Sequence, residues 1–238
     1  MIFCLISLGY HSQTFDANYN FDVYNKDLRK TFVFPANLQF EIKTKIKLYK
    51  VQFGIKPNGD APETYFISKK TPLYYIYAKP GEKNLILENI PNAKEKDYVL
   101  NDVYEMKWVL SSEFKIVNKI KLLKAETDFR GRHYIAWYDE KVKISVGPWK
   151  FKNTPGLIYE VYDDANSFKW SLLNFKESSD EIKNPFDSYK GEVISFHKYP
   201  KLRYGLTPEL KKELEKIPNN QVFEQERNGL EIEFEWEK

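Results

Sequence analysis

The sequence predicts a mainly β protein: a single antiparallel, twisted or half-barrel-like sheet with one C-terminal helix. Three observations carry this. Apolar and polar residues alternate with period two along most of the chain; clusters of Gly, Pro, Asn and Asp punctuate the runs; and the strand–helix–strand rhythm of a parallel sheet is missing. The 238 residues are 42% hydrophobic and 16% aromatic, with 17 Tyr and 17 Phe, which supplies one sizeable core. Residues 14–238 therefore read as one β-rich domain.

The first segment stands apart. MIFCLISL is an apolar run of the length of a secretory h-region and polar GYHSQT follows it, so residues 1–13 are expected to be a signal peptide, truncated at its start. The alternative is a buried first strand. The run is too short to cross a bilayer. Cys4 is the single cysteine, so an exported chain without its leader would have neither disulfides nor a thiolate.

Strands follow in order. KTKIKLYKVQF places Ile46 and Leu48 on one face, EMKWVL places Met106, Trp108 and Leu110, and KVKISV places Val142, Ile144 and Val146. The lysines between them face water, as on a one-sided antiparallel sheet. KPNGDAP (56–62), KPGEK (79–83), ENIPNAKEKD (88–97) and DDANS (163–167) carry turn chemistry. DDANS joins LIYEVY to FKWSLLNF, so residues 157–175 form a hairpin on which Leu157, Tyr159, Val161, Phe168, Trp170 and Leu172 share a face. RGRHYIAWYDE reads as a strand with Arg132, Tyr134, Ala136 and Tyr138 on one side and His133, Ile135 and Trp137 on the other. Residues 176–206 are the least regular stretch. The helix comes last: Thr207 can cap it, Pro208 fits its first position, and Leu210, Leu214 and Ile217 form a stripe that should brace the sheet.

Between strands lies the most distinctive segment, GPWKFKNTPGLI. Pro155 and Gly156 suit the central positions of a type II turn, with positive φ at Gly156, and Asn153 tolerates left-handed backbone. Gly147 and Pro148 end the preceding strand. Trp149 and Phe151 are too large and apolar to hang in water, so the loop is expected to plug an end of the sheet, with Leu157 and Ile158 leading into the next strand.

With those elements in place, residues 128–163, DFRGRHYIAWYDEKVKISVGPWKFKNTPGLIYEVYD, resemble the GLPGLI family of exported Gram-negative bacterial proteins. The matching elements are Phe129, Gly131-Arg132, Ala136-Trp137-Tyr138, Gly147-Pro148, Lys150-Phe151, Pro155-Gly156-Leu157-Ile158 and Asp163, preceded by Trp108, Leu110 and Lys124-Ala125. Asn153-Thr154 replaces Gly-Leu of the family hexapeptide, and Leu122 stands where members often have Cys. The resemblance implies export and a β fold, and it implies no activity.

Thirty-seven basic residues nearly balance thirty-four acidic ones for a net charge of +3, which argues against a nucleic-acid partner. The sequence has no nucleophile elbow, P-loop or dinucleotide fingerprint, and no metal-ligand spacing, so neither a cofactor nor a metal is expected. Two of the five arginines, Arg130 and Arg132, flank one glycine. Either they make structural ion pairs, or they fork onto an anionic group beside Tyr134 and Tyr138. Asp163 and Asp164 read as turn chemistry. The expected role is a non-catalytic binding or accessory protein of the periplasm or outer membrane, with lipid, glycan or an outer-membrane protein as partner and no membrane-spanning segment. The alternatives are a hydrolase using His133 or a carboxylate near Arg132, and a purely structural or interaction module.

Overall fold

The structure, a computed structural model, describes residues 14–52, 73–90, 96–206, 208–217 and 226–238. Residues 1–13, the KPNGDAP turn, residues 91–95 of ENIPNAKEKD and the Thr207 cap lie outside them. Twelve strands form one open sheet: β1 (Thr14–Asn25), β2 (Lys30–Glu41), β3 (Lys47–Gln52), β4 (Leu73–Ala78), β5 (Asn84–Ile90), β6 (Lys96–Asp102), β7 (Val109–Val117), β8 (Ile120–Phe129), β9 (Arg132–Asp139), β10 (Leu157–Asp163), β11 (Phe168–Ser178) and β12 (Val193–Ser195). Their spatial order is β12-β6-β5-β4-β3-β2-β1-β11-β10-β9-β8-β7. Two meanders, β1 to β6 and β7 to β11, are thus sewn together where β1 pairs with β11 over Thr14–Val23. The sheet is antiparallel except at one edge, where β12 runs parallel to β6.

Local chemistry sets the turns. Asn118 and Lys119 (φ 49° and 67°) join β7 to β8, and Arg130 and Gly131 (φ 46° and 83°) join β8 to β9. Both are two-residue loops with positive φ throughout, the geometry that matches strand twist in a tight hairpin. A non-glycine residue in that region is uncommon, and the Arg130 side chain that leaves this turn is fully buried. Pro35 has no N–H to give a ladder, and β3 pairs with β2 only beyond it, over Ala36–Phe40.

The predicted hairpin 157–175 is present as β10 and β11, with Val161 opposite Trp170. A bulge between Ile158 and Glu160 breaks the simple alternation, so Leu157 and Ile158 are both buried and Tyr159 is only half-buried. Along β9 the face of Tyr134, Ala136 and Tyr138 is buried and that of His133, Ile135 and Trp137 half-buried. KVKISV is not a ladder strand. Asp139 to Val146 wraps the sheet end through turn hydrogen bonds, from Val142 N to Asp139 O and from Leu157 N to Val142 O, and only Val146 forms a bridge, with Lys152. Its alternation reflects a segment lying against a core, where every second residue points inward. EMKWVL likewise becomes strand only from Val109, and Leu110 is exposed.

The C-terminal helix is present as α2 (Pro208–Glu215), following a shorter α1 (Tyr199–Tyr204), but Ile217, one of the three residues expected to brace the sheet, is 54% exposed. That role falls to the stretch read as irregular: Phe196 and Tyr199, on a 3-10 turn and the start of α1, are buried in the core and stack at 4.7 Å.

Candidate functional site

Trp149, Lys150 and Phe151 are all buried, at 1%, 0% and 0% exposure, on the loop that links β9 to β10. Trp149 stacks on Trp170 (5.9 Å between ring centres), and Phe151 meets Trp170 and Tyr134 edge-on at 5.3 and 5.0 Å. At roughly 25 cal/mol per Å2 and about 200 Å2 per ring, each of these two side chains supplies on the order of 5 kcal/mol of transfer free energy. The carbonyls from Trp149 to Lys152 all find donors. Lys47 Nζ gives to Trp149 O (2.6 Å) and Phe151 O (3.3 Å), Tyr104 Oη to Lys150 O (2.8 Å), and Trp108 Nε1 to Lys152 O (2.8 Å). Burial, with Lys152 nearby, lowers the Lys47 ammonium to about 7.

Gly156 does not take the positive φ of a type II turn; Asn153 does, at 68°, and so does Trp149, at 46°. Gly156 is needed for a different reason. A Cβ there would fall on the carbonyl oxygen of Asp139, deep inside van der Waals contact. The chain passes over the end of β9 with no room for a side chain. Gly147 has the same character, since a Cβ would strike the Ile158 side chain.

Lys150 and Arg130 meet Asp102 and Glu231 in a buried ionic cluster. Arg130 forks onto Asp102 with two contacts of 2.9 Å, and its Nη1 reaches Glu231 at 2.5 Å; Lys150 Nζ lies 2.7 Å from Asp102 and 2.8 Å from each Glu231 oxygen. Glu235, more exposed, closes the outer side at 3.2 Å from Arg130 Nε. Burial opposes the Asp102 charge, but Lys150 and Arg130 outweigh it and hold that carboxyl below the usual range. The same balance raises Arg130, where burial is outweighed by Glu231 and Asp102. Phe196 lies under both cations, 3.8 Å from Lys150 Nζ and 4.9 Å from the Arg130 guanidinium. The cluster joins β6, the β8–β9 turn, the aromatic loop and the C-terminal segment. Sequence reasoning missed Lys150, Asp102 and Glu231. The available signal was Lys150 itself, a charge set between two aromatic residues already assigned to the core.

Arg132 lies beside this cluster and makes its own pair, from Nη1 to Asp163 at 2.8 Å, while Nε donates to Gly229 O. Asp163 is fully buried and its other oxygen accepts from Phe168 N at 2.7 Å, so one carboxylate fixes both the arginine and the β10–β11 turn. Tyr134 is buried and donates to Leu230 O. Tyr138 is also buried, farther along β9 and away from the cleft described next.

That cleft, of about 1630 Å3, opens between the outer half of the β1–β2 hairpin, the β8–β9 and β10–β11 turns, Tyr199 and Arg203 of α1, and the C-terminal segment 226–238. Phe21, Val23, Phe34, Phe168 and Leu230 contribute its apolar surface. The C-terminal segment is held by Ile232 N and Glu233 N donating to Arg130 O, and by buried Phe234. Glu88 also lines the cleft and accepts from Tyr199 Oη at 2.8 Å; burial pushes its carboxyl up to about 7. At the rim His133 Nδ1 meets Asp128 at 2.8 Å and Nε2 lies 3.7 Å from Glu126, and these carboxylates, chiefly Asp128, raise the imidazole. Of the expected anion-binding set, Arg130 and Arg132 line the cleft with their charges engaged by carboxylates in its wall, and Tyr134 and Tyr138 do not line it.

Among the described residues no group of three His, Cys, Asp or Glu side chains is placed to hold a metal ion, and no helix is long and apolar enough to cross a membrane.

No family model matches the chain, and no curated protein does. Solved structures do. PNGF-II in its P21 crystal form superposes with a TM-score of 0.51 at 12% identity, covering 81% of this chain and 33% of that one. Its C2 form gives 0.47 at 13% identity, over 77% and 31%. A Vibrio parahaemolyticus domain described as belonging to an outer membrane lipoprotein-sorting protein gives 0.37 at 9% identity, over 73% and 89%. The chain spans about a third of the length of PNGF-II, and at 12% identity the likeness is one of fold.

Proposed function

We propose that this chain is a non-catalytic binding or accessory protein of the cell envelope, related to the GLPGLI family and periplasmic or associated with the outer membrane, whose ligand occupies the cleft beside the C-terminal segment. The observation that carries the binding reading is the cleft itself. It combines aromatic and aliphatic surface with solvent access, and its volume exceeds the few hundred to about 1,000 Å3 of ordinary small-molecule pockets. The envelope address follows from the resemblance and the leader-like first residues. The aromatic loop serves as the rigid support beneath the cleft, because its side chains are packed and its carbonyls bonded.

The neutral apolar dye N-phenyl-1-naphthylamine tests this. The parent should enhance its fluorescence with saturation, and Val23→Asp should lose the effect while keeping the far-UV spectrum. No saturable enhancement by the parent, or an undiminished one in the folded variant, removes the reading.

The hydrolytic alternative draws on His133 and Asp128, a titratable pair at the cleft rim. Both ring nitrogens face carboxylates and the imidazole is raised, which favours an imidazolium and leaves little capacity for a general base. An activity abolished by His133→Ala in a folded protein would favour that alternative over the binding role.

A further inference from the structure

We infer that the cleft receives a positively charged, apolar polypeptide segment of a partner protein; this rests on the binding reading and specifies its ligand. The argument is charge placement. The whole chain carries +3, yet among the described residues the cleft is lined by nine Asp and Glu against six Lys and Arg, and with Glu88 counted as neutral and His133 as charged it still has eight negative groups against seven positive ones. Three of those six cations are further engaged by carboxylates outside the lining: Arg130 by Asp102, Arg132 by Asp163 and Arg227 by Glu237. Lys150 returns one positive charge behind the wall. The cleft is therefore an acidic basin in a basic protein, and a concave acidic surface with low-dielectric walls focuses its field on a cation.

The acidic groups come from separate elements. Asp27 stands at the β1–β2 tip, Asp164 on the β10–β11 turn, Glu226 on the C-terminal segment and Glu105 on the link after β6. They therefore surround the apolar surface and do not form one solvated run. An occupant must match both features, presenting cations outward to the rim and apolar groups to Val23, Phe34 and Phe168. A chain of alternating basic and apolar residues does so, since its successive side chains point to opposite faces when extended. An anionic lipid headgroup or acidic glycan would meet like charge, and the arginines that could receive it already have partners.

Dansyl-labelled peptides of about ten residues, roughly 33 Å when extended, test the proposal: Lys–Leu, Gln–Leu and Glu–Leu repeats, titrated by anisotropy and by displacement of the naphthylamine dye. The Lys–Leu peptide should bind at least about tenfold tighter than the Glu–Leu peptide, and its advantage should shrink as salt rises from about 0.05 to 0.5 M. The triple variant Asp27→Asn, Asp164→Asn, Glu226→Gln should lose roughly tenfold for Lys–Leu and retain dye binding. Equal binding of Glu–Leu, an unaffected triple variant, or displacement of the dye by dodecyltrimethylammonium but not by Lys–Leu would each overturn the inference. In all three cases dye binding itself leaves the cleft reading standing, whereas its absence in the parent removes both.

Discussion

In Glu231→Ala the Lys150 ammonium loses two of its three carboxylate contacts while remaining fully buried against Phe196, and Arg130 keeps Asp102 and the exposed Glu235. Removing one partner of a buried ion pair strands a charge in a poorly polarisable interior, at a cost of roughly 3–5 kcal/mol. Domains of this kind have about 5–15 kcal/mol in total, so the variant should be marginal. Glu235→Ala is the internal control: that side chain is 57% exposed and its pair with Arg130 should contribute less than about 1 kcal/mol. Urea unfolding followed by tryptophan emission is the assay, because Trp149 and Trp170 are buried in the core and Trp236 packs beside it. With a slope near 3 kcal/mol per M, the Glu231 variant should lose about 1–1.7 M in midpoint at an unchanged slope. Pairing Glu231→Leu with Lys150→Met should restore most of the loss, since removing both charges removes the stranded one. A midpoint for Glu231→Ala no lower than that of Glu235→Ala would refute the reasoning.

Three further outcomes are expected. Gly156→Ala should cost roughly 2–4 kcal/mol in the same melt, because its Cβ would overlap the Asp139 carbonyl, and an unchanged midpoint would show that the crossing over β9 has slack. Glu88 ionises near 4.5 in an unfolded chain and about 7 when folded, so the unfolded state holds fewer protons between those values and stability falls as pH rises through them. Glu88→Gln should therefore melt higher than the parent near pH 8 and level with it near pH 4, and equal melting at both would contradict the burial of that carboxyl. Asp163→Ala should lose roughly 2–4 kcal/mol, since it leaves the half-buried Arg132 without its carboxylate and uncaps Phe168 N together; a loss no larger than that of an exposed pair would place Asp163 outside the wall's support.

Period-two alternation marked β3, β9, β10 and β11, because a one-sided sheet forces apolar residues to every second position whatever their distant neighbours. The 157–175 hairpin and the buried face of β9 were legible for that reason. So was the inward packing of Trp149 and Phe151, whose bulk admits no solvated alternative. KVKISV misled, since a segment lying against a core alternates as a strand does. The role of Gly156 was misassigned for a related reason. A Pro-Gly pair suits a type II turn by local chemistry alone, whereas the need for glycine here arises from Asp139, seventeen residues earlier in the chain. The bracing role assigned to Ile217 failed too: the C-terminal stripe had good helical signals, but burial depends on what stands opposite, and Phe196 and Tyr199 occupy the core.

By itself the sequence determined a β protein with an aromatic plug, because both follow from residue type and short-range spacing. Only the tertiary structure decided that Asp102, Arg130, Lys150 and Glu231 would share one buried site, and that carboxylates from four separate elements would ring one cleft. Charge pairing across roughly a hundred residues leaves no trace in local periodicity, since Coulomb energy depends on distance in space and local pattern records only distance along the chain.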